Sequence, residues 1–309
     1  MRILLTLAVL ASAQIAANAQ TTPQATSLNV AQRLGYPADS KLLIIHADDL
    51  AVAHSVDDAS FAALESGAVT SASVMVPCPW LTEVADWFKA HPDADVGIHL
   101  TLTSEWKDYR WGPVAPRDQV ASLLNPDGYF WPEVLPVVQR ATPEEVELEI
   151  RAQVERALAM GIHPTHLDTH MGTLAARQDY YAAFIKVAHE YHLPFLALHG
   201  FQTKWLSMLK PTDPVLDSLT QFTPAVKPET WTESYVKALN NLKPGLNEFI
   251  VHLGHDDSEL EAITAGHPAY GAAWRARDFK AVNSPEFRKA IGDNHIVLVH
   301  WKDLQKTMQ

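Results

Sequence analysis

Along most of the chain, short apolar runs alternate with stretches that are apolar on one face only. The runs at 41–46, 70–76, 95–100, 165–168, 194–198, 248–252 and 295–300 are too short for helices, apolar on both faces and partly β-branched. That pattern predicts buried parallel strands. Between several of them apolar residues recur at helical spacing. In the clearest case Thr142 offers an N-cap hydroxyl, Pro143 takes the first helical position and Glu145 the third. Val146, Ile150, Val154 and Leu158 then share one face, and Gly161 stops the helix. Repeated strand–helix units predict an α/β fold, an irregular (β/α) barrel of TIM-like type with about seven parallel strands. Two long stretches, 103–141 and 200–244, are rich in Pro and Trp and break the rhythm, so they are expected to form lids or substrate walls.

Composition narrows the partners. A formal net charge of -12 without a Lys/Arg cluster argues against nucleic acid and anionic membranes. Arg2, the apolar run 3–10 and the small residues ending Ala17-Asn18-Ala19 read as a secretory signal cleaved near Ala19. The expected division is a signal peptide at 1–19, a polar N-terminal arm at 20–40 and one (β/α) barrel domain at 41–309. No later segment reaches the roughly 18 apolar residues that a membrane-spanning helix needs. Cys78 is the single cysteine, so no intrachain disulfide forms. Together these features predict a periplasmic or secreted protein.

The chemistry gathers at the ends of the apolar runs. "KLLIIHADDL" ends in the adjacent carboxylates Asp48 and Asp49, and "DVGIHLTL" ends in His99. "PTHLDTHM" brings His166, Asp168 and His170, and "FIVHLGHDD" brings His252, His255 and Asp256. A barrel has one carboxyl face, so Asp48, Asp49, His99, His170 and His252 are expected to converge there. Two imidazoles and a carboxylate form a mixed N/O set of the kind that binds Zn²⁺, Mn²⁺, Co²⁺ or Ni²⁺ with a position left for water. One aspartate of the pair then serves as ligand while its neighbour takes a proton from that water.

In order along the chain these segments resemble the YdjC-like carbohydrate deacetylases. His46-Ala47-Asp48-Asp49-Leu50-Ala51 matches an N-A-D-D-F-G-like motif, "SGAVTSASVMV" a G-x-V-T-S strand, "GIHLTLT" a G-x-H-x-x-L-T motif and "PTHLDTH" a P-T-H-x-D-S-H motif. The resemblance spans residues 41–304. It implies hydrolysis of N-acetyl groups on amino sugars or oligosaccharides, with Asp48 as general base. It further implies one divalent metal ion, Zn²⁺ or Mg²⁺, on Asp49, His99 and His170, and His252 as acid or oxyanion-stabilising group. Asp168, Trp205 and Trp301 are the expected contacts for a small carbohydrate substrate; Trp111, Trp231 and Trp274 offer further flat faces, and a homodimer stays open. The sequence departs from the pattern at Leu50-Ala51, at Leu253 and after His170, where Met171-Gly172-Thr173 replaces further histidines. Two rival readings are a metal-dependent esterase or phosphoesterase and an exported sugar-binding protein without turnover. No Lys or Arg stands beside the strand-end histidines, which weighs against phosphate. An intact Asp48 weighs against a pure binding role.

Overall fold

A computed structural model describes residues 29–200 and 205–308. The predicted signal peptide and the first part of the arm lie outside the described residues. Among the described residues seven strands form, β1 (Lys41–Leu50), β2 (Ser71–Val74), β3 (Val96–Leu100), β4 (Leu167–Thr169), β5 (Ser218–Gln221), β6 (Gly245–Val251) and β7 (Val297–Leu298). Every pairing between them is parallel. The order is β4-β3-β2-β1-β6-β5, with β7 paired to β1. The sheet curls, and its edges meet through residues 194–198, which make the isolated bridges Leu167↔Phe195 and Leu198↔Leu216. The result is an irregular barrel with one loosely joined side.

The buried runs form the ladder because they are apolar on both faces: residues 42–50 of β1 are all buried, between helices outside and the barrel interior inside. Helix Pro143–Ala159 follows its sequence signals. The Thr142 hydroxyl caps Glu145 N, and Val146, Ile150 and Val154 pack against the core. Leu158, expected on the same face, is 36% exposed.

Three expectations change. Residues 194–198 supply bridges rather than a strand ladder, and 295–300 contributes only two residues. The stretch 200–244, expected to be pure insertion, contains β5 and the helix Trp231–Asn240. β5 reads Ser-Leu-Thr-Gln and is half exposed, so it lacks the apolar signature of the other strands. The stretch 103–141 does build a wall, with 3₁₀ turns, the helix Val134–Arg140 and the bridges Thr103↔Trp131 and Leu124↔Phe130. Within the arm, helix Val30–Arg33 is closed by an Asn29/Gln32 capping box and buries Ala31 beside Leu42 and Leu304. Among the described residues no helix is long and apolar enough to cross a membrane.

Candidate metal centre and active site

Neighbouring residues of a regular strand face opposite ways, yet Asp48 and Asp49 both reach the barrel mouth. A register shift between Ala47 and Leu50 explains it. Asp49 and Ala51 both take φ of 73°, a left-handed backbone that Asp tolerates better than most residues. The kink is held from outside, where Asp57 accepts the Ala51 N–H at 2.6 Å. His99 comes from β3, His170 follows β4 and His252 follows β6. The structure therefore brings all five expected residues to one end of the barrel.

Three of their atoms form a nearly equilateral triangle. His99 Nε2 and His170 Nδ1 are 3.2 Å apart, and Asp49 Oδ1 lies 3.4 Å from each. Carboxylates hold the far side of both rings: Asp168 accepts from His99 Nδ1 at 2.7 Å, and Glu105 accepts from His170 Nε2 at 3.1 Å. These bonds turn both remaining ring lone pairs toward the Asp49 oxygen. Three acceptors face one another, and a cation or a proton must stand between them. Asp49 Oδ1 is buried without a hydrogen-bond partner. A tetrahedral ion with bonds of about 2.0–2.1 Å holds its ligand atoms about 3.3–3.4 Å apart, so the triangle fits such an ion with one position open toward the cleft. The carboxylate behind each ring is the usual companion of a metal-binding histidine.

Two other groups among the described residues also bring three such atoms together: His46 with His166 and Asp168, and Asp48 with His99 and Asp168. In both, Asp168 is already occupied, hydrogen-bonded to His99 at 2.7 Å and 2.9 Å from His46 Nε2, distances too short to leave room for an ion. The Asp49, His99 and His170 set is the one whose geometry suits a cation.

Electrostatics follow the same division. Burial would raise the Asp49 carboxyl, but Arg275 and the surrounding histidines outweigh it and hold it well below the usual carboxylate range. Arg275 Nη2 donates to Asp49 Oδ2 at 2.7 Å and is itself buried. Burial likewise disfavours a charged His170, yet Glu105 and Asp49 push it up to about 10, so a proton takes the central place when no cation does. His252 goes the other way, lowered to about 4 by burial that the aspartates only partly offset. Its Nε2 lies 3.8 Å from Asp48 Oδ2, and its backbone N–H donates to Asp278.

The triangle opens into a cleft of about 640 Å³ bordered by Asp48, His252, Glu105, Glu133, Tyr270 and Arg275, among others. Three expected substrate contacts lie elsewhere. Asp168 sits behind His99, hydrogen-bonded to its Nδ1 and in ion-pair contact with His46 Nε2. Trp301 is buried beneath the site, stacked on His166 and donating to Glu248. Trp205 packs beside Tyr181, outside the cleft lining. Trp111 and Trp231 are also core residues, donating to Thr103 O and Asp278. Trp274 does line the cleft, and among the described residues the aromatic face exposed there is Tyr270, 40% exposed and edge-on to Trp274. Glu105, Arg275 and Tyr270 escaped the sequence reading, because all three come from outside the strand-end motifs.

The sequence matches the YdjC-like protein family over residues 42–293. The chain belongs to this family. Among curated relatives of this YdjC-like protein, the carbohydrate deacetylase of Thermus thermophilus is 31% identical over 87% of this chain and 96% of the relative. That of Thermoanaerobacter pseudethanolicus is 27% identical over 86% of this chain and the whole of the relative. A solved structure from Enterococcus faecalis, described as a candidate cellobiose-phosphate cleavage protein, shares the fold with a TM-score of 0.71 and 24% identity. It covers 86% of this chain and 99% of that one.

Proposed function

We propose that this YdjC-like protein is a metal-dependent deacetylase that hydrolyses the N-acetyl group of an amino sugar or short oligosaccharide. The observation that carries the reading is the triangle of Asp49 Oδ1, His99 Nε2 and His170 Nδ1, three acceptors at 3.2–3.4 Å with one open side. The curated relatives named carbohydrate deacetylases support the substrate class.

Asp49, His99 and His170 would hold the ion, with Zn²⁺ favoured by the ligand set and spacing. When bound, such an ion supplies Lewis-acid polarisation of the amide carbonyl and lowers the pKa of water. Asp168 and Glu105 keep the two rings in the ligating tautomer, and Arg275 keeps Asp49 ionised. Asp48 takes the proton of the attacking water. That proton reaches the leaving nitrogen from Asp48 itself or by way of His252, whose imidazole is neutral at pH 7 and 3.8 Å distant. Tyr270 offers the sugar a flat face at the cleft mouth.

Acetate release from a panel of N-acetylated sugars, before and after chelation and after Zn²⁺ is restored, tests the reading. Release that stops on chelation and returns with metal is the expected result. Unchanged release in the chelated protein, or none from any sugar, contradicts it. We also read residues 1–19 as an export signal, for which a mature N-terminus near Gln20, found by mass spectrometry of exported protein, is the test.

A further inference from the structure

Beneath the triangle the barrel interior carries a second polar layer. His46, His166, Asp168 and Glu248 are 0%, 0%, 6% and 2% exposed, at a depth where a barrel core ordinarily holds branched aliphatic side chains. Buried hydrogen-bonding groups cost free energy unless partnered, so a polar layer here calls for a use. The contacts of His46 lead upward. Its Nε2 lies 3.2 Å from Asp48 Oδ1 and 2.9 Å from Asp168 Oδ2, with Ser73 Oγ at 3.0 Å. The other oxygen of Asp168 holds His99 Nδ1. One nitrogen thus touches both the proposed base and the carboxylate that orients a metal ligand.

Asp48 Oδ1 is buried and makes no hydrogen bond, so its carboxylate leans on this 3.2 Å ion-pair contact. Arg275 is committed to Asp49, while His99 and His252 stand 3.8 Å from Asp48. Nor can the His46 ring withdraw downward, because it meets His166 edge-on at a centroid distance of 5.0 Å, and His166 is stacked on Trp301. We infer that His46 is a positioning residue joining the two halves of the site: through Nε2 it aims the Asp48 carboxylate and, through Asp168, fixes the His99 ring toward the metal. Its effect on rate rests on the deacetylase reading, whereas its effect on metal affinity does not.

The test uses the full chain. His46→Leu removes the donor and keeps much of the bulk. His46→Gln places an amide nitrogen, with two N–H groups, near the position of Nε2. Groups that support metal ligands contribute about 10–100-fold to affinity or activity. His46→Leu should therefore lower kcat by about 10–100-fold at unchanged KM, and weaken Zn²⁺ binding in chelator competition by about tenfold. His46→Gln should recover most of both. Should His46→Leu fail to fold by circular dichroism, His46→Phe takes its place. A donor-less variant with wild-type Zn²⁺ affinity overturns the inference, as does a folded His46→Gln no better than that variant. A wild-type protein inactive on every N-acetylated sugar contradicts the deacetylase reading alone, since the Zn²⁺ affinities still decide the role of His46.

Discussion

Gly97 opens the "GIHLTLT" segment, and the structure gives it a reason that concerns another motif entirely. A Cβ at position 97 would lie 2.5–2.6 Å from three atoms of the His166 ring, the first histidine of "PTHLDTH". Ordinary contact begins near 3.4 Å, so in Gly97→Ala the ring must retreat by about 0.9 Å, a difference of those two distances. It has nowhere to go: His166 is fully buried, stacked on Trp301, and held at Nδ1 by Thr165, which donates in turn to Asp95. Overpacking a core costs about 1–3 kcal/mol, occasionally more, and a rigid ring in three simultaneous clashes belongs at the upper end. Gly97→Ala should therefore cost about 3 kcal/mol and lower Tm by about 6–12 °C, at roughly 2–4 °C per kcal/mol for a chain of this size. Urea unfolding and thermal melts measure it. His166→Ala removes the obstacle, so in the double variant the Gly97→Ala penalty should shrink by at least about 2 kcal/mol, within the range seen for residues in contact. Gly97→Ala that melts with the wild type, or a penalty unchanged by His166→Ala, would refute the reasoning.

The remaining predictions concern buried charge. Burial pushes the Glu248 carboxyl up to about 7 from its ordinary 4.5. The folded state thus favours the protonated form, and this stability is fully present below about pH 4.5 and lost as pH rises to about 7. Glu248→Gln should remove that loss and gain about 3 kcal/mol relative to the wild type between those limits, checked by urea unfolding at pH 5 and pH 8. Arg275→Met leaves the Asp49 carboxylate buried without its cation, an imbalance of about 3–5 kcal/mol. The loss should be large in chelated protein and smaller with Zn²⁺, since an ion on Asp49 replaces the lost charge; equal losses in the two melts would count against Asp49 as a ligand.

Much of this was legible in the sequence where one signal sufficed. The strands β1, β2, β3 and β6 announce themselves because both faces are buried, and Asp48, Asp49, His99, His170 and His252 because each ends such a run. β5 escaped because its Ser-Leu-Thr-Gln stretch is half exposed and polar. Arg275 and Glu105 were invisible because a helix and a loop deliver them, far from the strands they serve, and no spacing rule links Arg275 to a residue 226 positions away. Trp205 and Trp301 misled for a related reason, whereas Trp274 does line the cleft: a large aromatic fits a core as well as a cleft, and only packing separates Trp301, under the site, from Tyr270, in the cleft. The kink at Asp49 and Ala51, which turns an alternating pair into two inward carboxylates, follows from backbone angles that the letters "DDLA" do not specify.

The two aspartates decide the account. Metal stoichiometry and acetate release, measured on the same preparations of Asp48→Asn and Asp49→Asn, test it most directly. The geometry predicts that Asp48→Asn keeps about one metal per chain and loses at least about 10²-fold in rate, the lower bound for a positioned base, while Asp49→Asn loses metal and rate together. Asp48→Asn stripped of metal beside a metal-loaded Asp49→Asn would reverse the two roles, and full rate and metal in both would contradict the catalytic site itself.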